Sequence, residues 1–318
     1  MSGEIKIGSL FAGIGGIDLA FQNVGFKSEW AVEMDNDAAL TYAYNFPDTY
    51  LIRADIREIE KTDISDVDII TAGFPCQPFS VCGKQRGFLD YRGNLFFEIL
   101  RIADAKNPKI IFLENVANII NHDAGRTFDI IKKELLKRKY YIRYLIADAC
   151  NYGVPQHRTR IYIVAFKNLE VAQLFSFPKK KKLDKHIFDL IEKSQKAEDK
   201  FYIKPDSDEF KTLKKIIKDS NQIYRFSDHG IQSGNDGISF TLKANMGTWK
   251  NRIPIIQDKF GIRVITPEEC LALQGFPDSF KFPDINLKSK YKQCGNTVVV
   301  PLVTQIAESL YTCMANKG

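Results

Sequence analysis

The chain has 318 residues, 44% hydrophobic and 26% charged, and forty-five Lys+Arg against thirty-nine Asp+Glu give a net charge of +6. These proportions exclude a fully disordered chain, and apolar runs such as Ile110–Leu113 fall far short of the ~20 residues of a membrane span. The amino-terminal MSGEIKIGSLFAG lacks the basic region and apolar stretch of a secretory signal, so a soluble, non-exported protein is expected. The pattern then alternates strands and helices. A strand at Ile5–Phe11 leads to a helix at Gly16–Val24, a strand at Glu29–Glu33, a helix at Asp37–Asn45 and strands at Tyr50–Ala54 and Asp68–Ala72. A helix at Asn94–Lys106, a strand at Ile110–Glu114, a helix at Arg126–Lys139 and strands at Tyr144–Asp148 and Arg160–Phe166 follow. This rhythm predicts an α/β fold with a largely parallel sheet and helices on both faces. Ligands of such sheets sit at the carboxyl ends of the strands.

The pattern changes after Phe177-Pro178. Lys179 to Lys182 are consecutive lysines, and a polar, lysine-rich stretch runs to about Asp258. Residues 180–285 are read as a second, smaller, loop-rich domain. Regular periodicity returns in a helix at Pro267–Leu273 and in a closing helix at Val298–Cys313, with Pro301 in its first turn, where proline is tolerated. Six cysteines (76, 82, 150, 270, 294, 313) form no CxxC pair and four histidines do not cluster with them, so no metal site is expected. In a reducing compartment the cysteines should be free thiols.

Four motifs fall at predicted strand ends. The first is Ser9-Leu10-Phe11-Ala12-Gly13-Ile14-Gly15-Gly16. Its glycines let a ligand approach the backbone and expose the first N–H groups of a helix. It is not the dinucleotide fingerprint, because the third glycine of GxGxxG would fall on Asp18. That spacing argues against an NAD oxidoreductase. Glu33 ends the next strand and Asp55 follows the third, so a nucleoside crevice without a pyrophosphate clamp is expected.

The second motif, Ala72-Gly73-Phe74-Pro75-Cys76-Gln77-Pro78-Phe79-Ser80, puts a thiol between two prolines, which stiffen the backbone and forbid a helix. The segment 81–92, with Lys84, Arg86 and Arg92, is read as a lid. The third is Glu114-Asn115-Val116, where a carboxyl at a buried strand end is expected to be a proton donor through desolvation. The fourth is Gly153-Val154-Pro155-Gln156-His157-Arg158-Thr159-Arg160, where period two puts Arg158 and Arg160 on one strand face. His157 then faces the other way, without a role.

In this order, and continued by ITPEECLALQGFPDSF and YKQCGNTVVVP, these blocks resemble the cytosine-C5 DNA methyltransferases of bacterial restriction–modification systems. The resemblance spans nearly the whole chain. It implies a Rossmann-like methyltransferase sheet, S-adenosyl-L-methionine as cofactor and S-adenosyl-L-homocysteine as product. It implies a discontinuous catalytic domain (1–179 and 286–318) and a target-recognition domain (180–285). Cys76 becomes the nucleophile for C6 of a flipped-out cytosine, Glu114 the group at N3 and the exocyclic amine, Arg160 the holder of the O2 edge and Arg158 its support. The Phe74 carbonyl is a second candidate for the amine.

For the cofactor, the resemblance implies Phe11 against adenine and Ala12, Gly13 and Gly15 near the amino-acid moiety. Glu33 would take the ribose diol, Asp55 the adenine amine and Ile56 its face, with Leu95, Asn296 and Val298 completing the pocket. Met34 stands where relatives often carry an aromatic residue. DNA would be met by Gln77 and Ser80 and by Cys82, Lys84 and Arg86 of the lid. In the variable region the candidates are Gln232, Asn235, Thr241, Lys243, Asn245, Trp249, Lys250 and Arg252, of which Thr241 resembles a backbone-contacting threonine. Double-stranded DNA is the expected partner of a monomeric cytoplasmic enzyme, and a cognate restriction endonuclease in the host is left open. The alternatives are a tRNA cytosine-C5 methyltransferase of the same fold and a non-catalytic DNA-binding relative.

Overall fold

The computed structural model describes residues 4–75, 95–191, 193–218, 220–227, 230–234, 237–248 and 252–315. The chain forms two compact units. The first comprises Met1–Ala147, Thr159–Lys179 and Val303–Gly318, and the second Asp148–Arg158 and Lys180–Leu302. Residues 286–302, grouped with the first part from sequence, thus pack within the second unit.

The first unit contains β1 (Lys6–Leu10), α1 (Gly16–Gln22), β2 (Lys27–Val32), α2 (Asn36–Asn45), β3 (Tyr50–Ile52) and β4 (Ile69–Gly73). These are followed by α3 (Leu95–Lys106), β5 (Ile110–Val116), α4 (Arg126–Lys137), β6 (Tyr141–Asp148), β7 (Thr159–Phe166) and α5 (Leu169–Leu174). The strands form a seven-stranded sheet in the order β3-β2-β1-β4-β5-β7-β6. β1 pairs in parallel with both β2 and β4, so the chain order reverses there. β4 pairs in parallel with β5. The central strands are apolar on both faces because helices cover both, and Ile110 to Leu113 are all buried. One face packs Ile70, Ala72, Phe96, Ile99, Ile111 and Leu113 into a continuous core. On the other, Phe112 meets Phe21 of α1 with ring centroids 5.4 Å apart.

β7 runs antiparallel to β5, from Ile110 opposite Phe166 to Val116 opposite Arg160. The sheet is therefore largely parallel with one reversed strand. Reversal brings the start of β7 to the edge where the parallel strands end. Those ends carry Phe11 to Gly15, Glu33, Asp55, Phe74 and Glu114.

α1 begins at Gly15, whose φ is +84°. A side chain there would strain the backbone, and its Cβ would lie 2.2 Å from the Phe46 ring. Gly15→Ala is expected to destabilise the protein by about 2 kcal/mol or more, read as a lower urea midpoint at unchanged slope.

The second unit holds α6 (Asp208–Ile216), β8 (Tyr224–Ser227), β9 (Gly230–Ser233), β10 (Ile255–Asp258), β11 (Gly261–Val264), α7 (Pro267–Gln274) and α8 (Leu287–Asn296). Its strands form an antiparallel sheet in the order β11-β10-β8-β9. Arg263 is buried in it. Its Nε donates to Asp258 at 2.7 Å and its terminal nitrogens donate to both Glu269 oxygens at 2.7 Å. A buried guanidinium needs such carboxylate partners to offset its lost hydration. Thr266 and Glu269 cap α7 reciprocally, with Pro267 in the first turn. The closing helix is α9 (Val300–Ala315). Among the described residues no single helix is long and apolar enough to cross a membrane.

Candidate active site

The loop after β1 turns on three residues of positive φ, Phe11 (54°), Gly13 (58°) and Gly15 (84°). Its backbone is pinned to β2, because Ala12 N–H donates to the Val32 carbonyl at 3.1 Å. Glu33, directly after β2, completes the tie. One carboxylate oxygen accepts from Gly13 N–H and the other from Asp35 N–H, each at 2.7 Å. Asp35 in turn caps α2 through Ala38 N–H at 3.0 Å. Burial pushes the Glu33 carboxyl above its ordinary range, against the pull of these two N–H donors. A carboxylate offers about four acceptor sites, so two bonds leave capacity for a ligand's hydroxyls. Among the described residues a Cβ added at Gly13 would meet nothing within 4 Å, so none of them fills the space at this loop.

Asp55 caps the short turn Ile56–Glu58 by accepting from Arg57 N–H at 3.0 Å. Hydrogen bonds from the Arg57 side chain hold its carboxyl below the usual range. Ile56 is buried and Leu95 half-buried at the start of α3. Met34 is exposed.

Three strands along from β3, Gly73 ends β4 opposite Glu114 of β5. Arg160 opens β7 opposite Val116, diagonally from Glu114. Its Nε lies 3.2 Å from Glu114 Oε1, and both side chains are largely buried. The desolvated carboxyl expected from sequence is thus met by a cation. The buried Asn115 donates its side-chain N–H to the Phe74 carbonyl at 2.7 Å. That bond fixes the chain as it leaves β4. It uses one of the two lone pairs of the Phe74 oxygen, leaving one for another donor. Cys76, Gln77, Ser80, Cys82, Lys84 and Arg86 lie outside the described residues.

One edge of one sheet thus gathers a buried carboxylate acceptor, a glycine loop and a Glu–Arg pair. Comparison with known proteins gives this arrangement a family. Residues 5–312 match the family described as C-5 cytosine-specific DNA methylase. The chain is 43% identical over 314 residues to the type II methyltransferase M.Bsp6I of Bacillus sp. (strain RFL6), covering 98% of this chain and 99% of that protein. The chain belongs to the C-5 cytosine-specific DNA methylases.

The methylase is also 35% identical over 309 residues to the type II methyltransferase M.HhaI of Haemophilus parahaemolyticus, covering 95% of this chain and 92% of that protein. Its fold is similar to the S. pombe Dnmt2 methyltransferase, with a TM-score of 0.74 at 21% identity, covering 98% of this chain and 99% of that one. The protein is a DNA cytosine-5 methyltransferase of the restriction–modification type acting on DNA.

Arg158 departs from the strand-face reading. β7 begins at Thr159, and Arg158 precedes it in the second unit of the methylase. Its guanidinium donates to the carbonyls of Leu242 (2.8 Å), Gly295 (3.1 Å) and Thr297 (2.6 Å). A buried guanidinium is held where carbonyls converge to take its N–H groups, so period two does not apply across this junction. Asn296, at the end of α8, is exposed and Val298 is buried, both in the second unit.

In the same unit the Thr241 hydroxyl donates to the His157 carbonyl. Gln232 of β9 accepts through its side-chain oxygen from Arg225 Nε at 3.1 Å and from a terminal nitrogen at 2.9 Å. The Arg225 guanidinium lies over the Phe240 ring at 4.1 Å. Sequence reasoning passed over Arg225, although it is two residues before the end of a strand and is pre-oriented by two neighbours. Lys243 and Arg252 are exposed, and Asn245 is half-buried in the turn Ala244–Gly247. Asn235, Trp249 and Lys250 lie outside the described residues.

Proposed function

We propose that the chain methylates C5 of a cytosine flipped out of a specific duplex sequence, using S-adenosyl-L-methionine and a transient bond from Cys76 to C6. The observation that carries this reading is the Glu114–Arg160 pair at the strand end beside which the chain runs into Pro75-Cys76.

S-adenosyl-L-methionine fits the residues present. The two-acceptor capacity left on Glu33 suits a ribose diol, the open backbone at Gly13 suits the amino-acid moiety, and Phe11, Ile56 and Met34 are apolar partners for a purine. Ala12, Gly15, Asp55 and Leu95 are proposed to complete this pocket. When bound, the cofactor supplies an electrophilic methyl group on a sulfonium. The Cys76 thiolate adds at C6, and the electron pair of the C5–C6 double bond moves toward N3. Glu114 holds the proton at N3 and accepts from the exocyclic amine. Arg160 donates to O2. After C5 gains the methyl group it loses its proton, and the returning electrons expel Cys76 as thiolate. Addition runs perpendicular to the base, so the cytosine must leave the stack at a cost of a few kcal/mol.

The second unit is proposed to read the DNA sequence. Gln232 acts through Arg225, whose guanidinium it orients. Arginine suits guanine and asparagine suits adenine in the major groove, which makes Arg225 and Asn245 the base-reading candidates. Thr241, Lys243 and Arg252 are proposed to contact the backbone beside them. The enzyme is proposed to act as a monomer in the cytoplasm.

Labelled methyl transfer to duplex DNA and to tRNA tests the substrate, and transfer to tRNA alone would overturn the reading. A duplex bearing 5-fluorocytosine at the target, with cofactor present, is expected to trap the protein covalently, because fluorine blocks loss of the C5 proton. Absence of any trapped species would reject the covalent path.

Glu33→Gln is expected to weaken cofactor binding about 10- to 100-fold, since hydrogen bonds to a charged group are worth about 1.5–3 kcal/mol. The wild-type carboxyl titrates above the ordinary glutamate range. Affinity should therefore hold at high pH and fall as pH drops through that raised value, whereas the glutamine variant should show no such fall. Equilibrium cofactor binding across pH reads both.

A further inference from the structure

The turn that precedes β7 closes on itself and brings together three side chains that the methyltransferase reading leaves unused. Asp148, Cys150 and His157 offer one donor atom each, all within 4.8 Å of one another. His157 Nδ1 lies 3.0 Å from Asp148 Oδ2 and 3.5 Å from Cys150 Sγ. Sequence reading expected no metal ligands here, because the residues form no familiar spacing motif. The turn supplies what spacing does not show. Gly153, at φ 87°, reverses the chain, so residue 157 returns beside residues 148 and 150.

Both acidic partners approach the same ring nitrogen. A cysteine nucleophile with a histidine base would need thiol and carboxylate on opposite ring nitrogens, so this is not a catalytic triad. Three donor heads converging on one point form a chelating arrangement. A tetrahedral zinc ion, with bonds of about 2.3 Å to sulfur and about 2.0–2.2 Å to nitrogen and oxygen, holds sulfur and nitrogen about 3.5 Å apart and nitrogen and oxygen about 3.4 Å apart. The observed 3.5 Å and 3.0 Å are within a few tenths of an ångström of these spans.

The donors are also held in place before any ion arrives. The second Asp148 oxygen accepts from Arg158 N–H at 2.8 Å, which orients the carboxylate as outer-shell bonds orient metal ligands. Ala149 N–H donates to the Arg158 carbonyl at 3.2 Å. His157 N–H donates to the Ser239 carbonyl at 2.8 Å. The imidazole is exposed and Cys150 half-buried, so an ion and a fourth, water ligand have access.

We propose that Asp148, Cys150 and His157 bind one divalent cation of the zinc class, with water as the fourth ligand, tying the 148–158 turn together. The mixed sulfur, nitrogen and oxygen set favours a borderline-soft ion over magnesium or calcium, which take oxygen ligands. The site is independent of the methyl-transfer reading.

Cobalt(II) added to the full, reduced chain tests this. Wild-type protein is expected to show a sulfur-to-cobalt charge-transfer band that saturates at one equivalent and is displaced by zinc. His157→Ala and Cys150→Ser should each weaken cobalt binding at least about tenfold, because each removes one of three ligands. The His157 change removes an exposed ring, so the fold is not at risk. Zinc should raise the melting temperature of wild-type protein and leave that of His157→Ala unmoved. A band of the same strength in Cys150→Ser would assign the signal to another thiol and overturn the proposal. So would the absence of any band, or cobalt affinity unchanged by His157→Ala.

Discussion

Replacing Cys76 with serine is expected to lower methyl transfer to duplex DNA by about four orders of magnitude or more, while cofactor binding stays near wild-type. A serine hydroxyl is essentially un-ionised near neutral pH, whereas a thiol is a few per cent thiolate even without activation. Cytosine C5 is electron-poor until a nucleophile adds at C6, so losing the thiolate removes the step that makes C5 reactive. The residues proposed to hold the cofactor, Glu33 and Gly13, are tied to each other, and Ala12 ties their loop to β2; the substitution leaves both ties alone. Tritiated methyl transfer and equilibrium cofactor binding, measured on one preparation, separate the two effects. Activity within tenfold of wild-type would mean that another group attacks the base.

The sequence was most legible where local chemistry and strand ends coincide. Apolar runs such as Ile110 to Leu113 marked the buried strands, because both faces of a central parallel strand are covered. The positive φ of Gly13 and Gly15 explains why glycine recurs after β1. Legibility failed where partners come from distant segments. Nothing near Arg158 in sequence announces the carbonyls of Leu242, Gly295 and Thr297, so strand periodicity ran past the true start of β7. The second unit looked loop-rich because its strands are four residues long and one of them carries the buried cation Arg263, balanced by Asp258 and Glu269. Charge inside a core hides the apolar alternation on which strand reading depends. The Asp148, Cys150 and His157 cluster was hidden for a related reason, since it exists only after the turn at Gly153 folds residue 157 back.

Glu114→Gln is expected to cost about 10²- to 10⁴-fold in kcat, the usual range for a positioned proton-transfer group. Glutamine keeps the size and one acceptor of glutamate, so the strand ends should pack as before. It cannot hold a proton for N3, and its charge no longer balances Arg160, 3.2 Å away in the native protein. Arg160→Ala should produce a comparable loss by freeing the O2 edge and leaving Glu114 without its cation. The two residues meet each other and the same base, so their effects should not add. The double variant is expected to lose little more than the worse single variant. A purely structural ion pair would give another pattern, in which the variants unfold at lower denaturant and kcat follows the folded fraction. The expected pattern is a kcat loss far larger than any shift in the unfolding midpoint, with cofactor affinity preserved, because Glu33 and Gly13 are tied to each other without Glu114 or Arg160. Full additivity of the two losses would show that the carboxylate and the guanidinium act on separate steps.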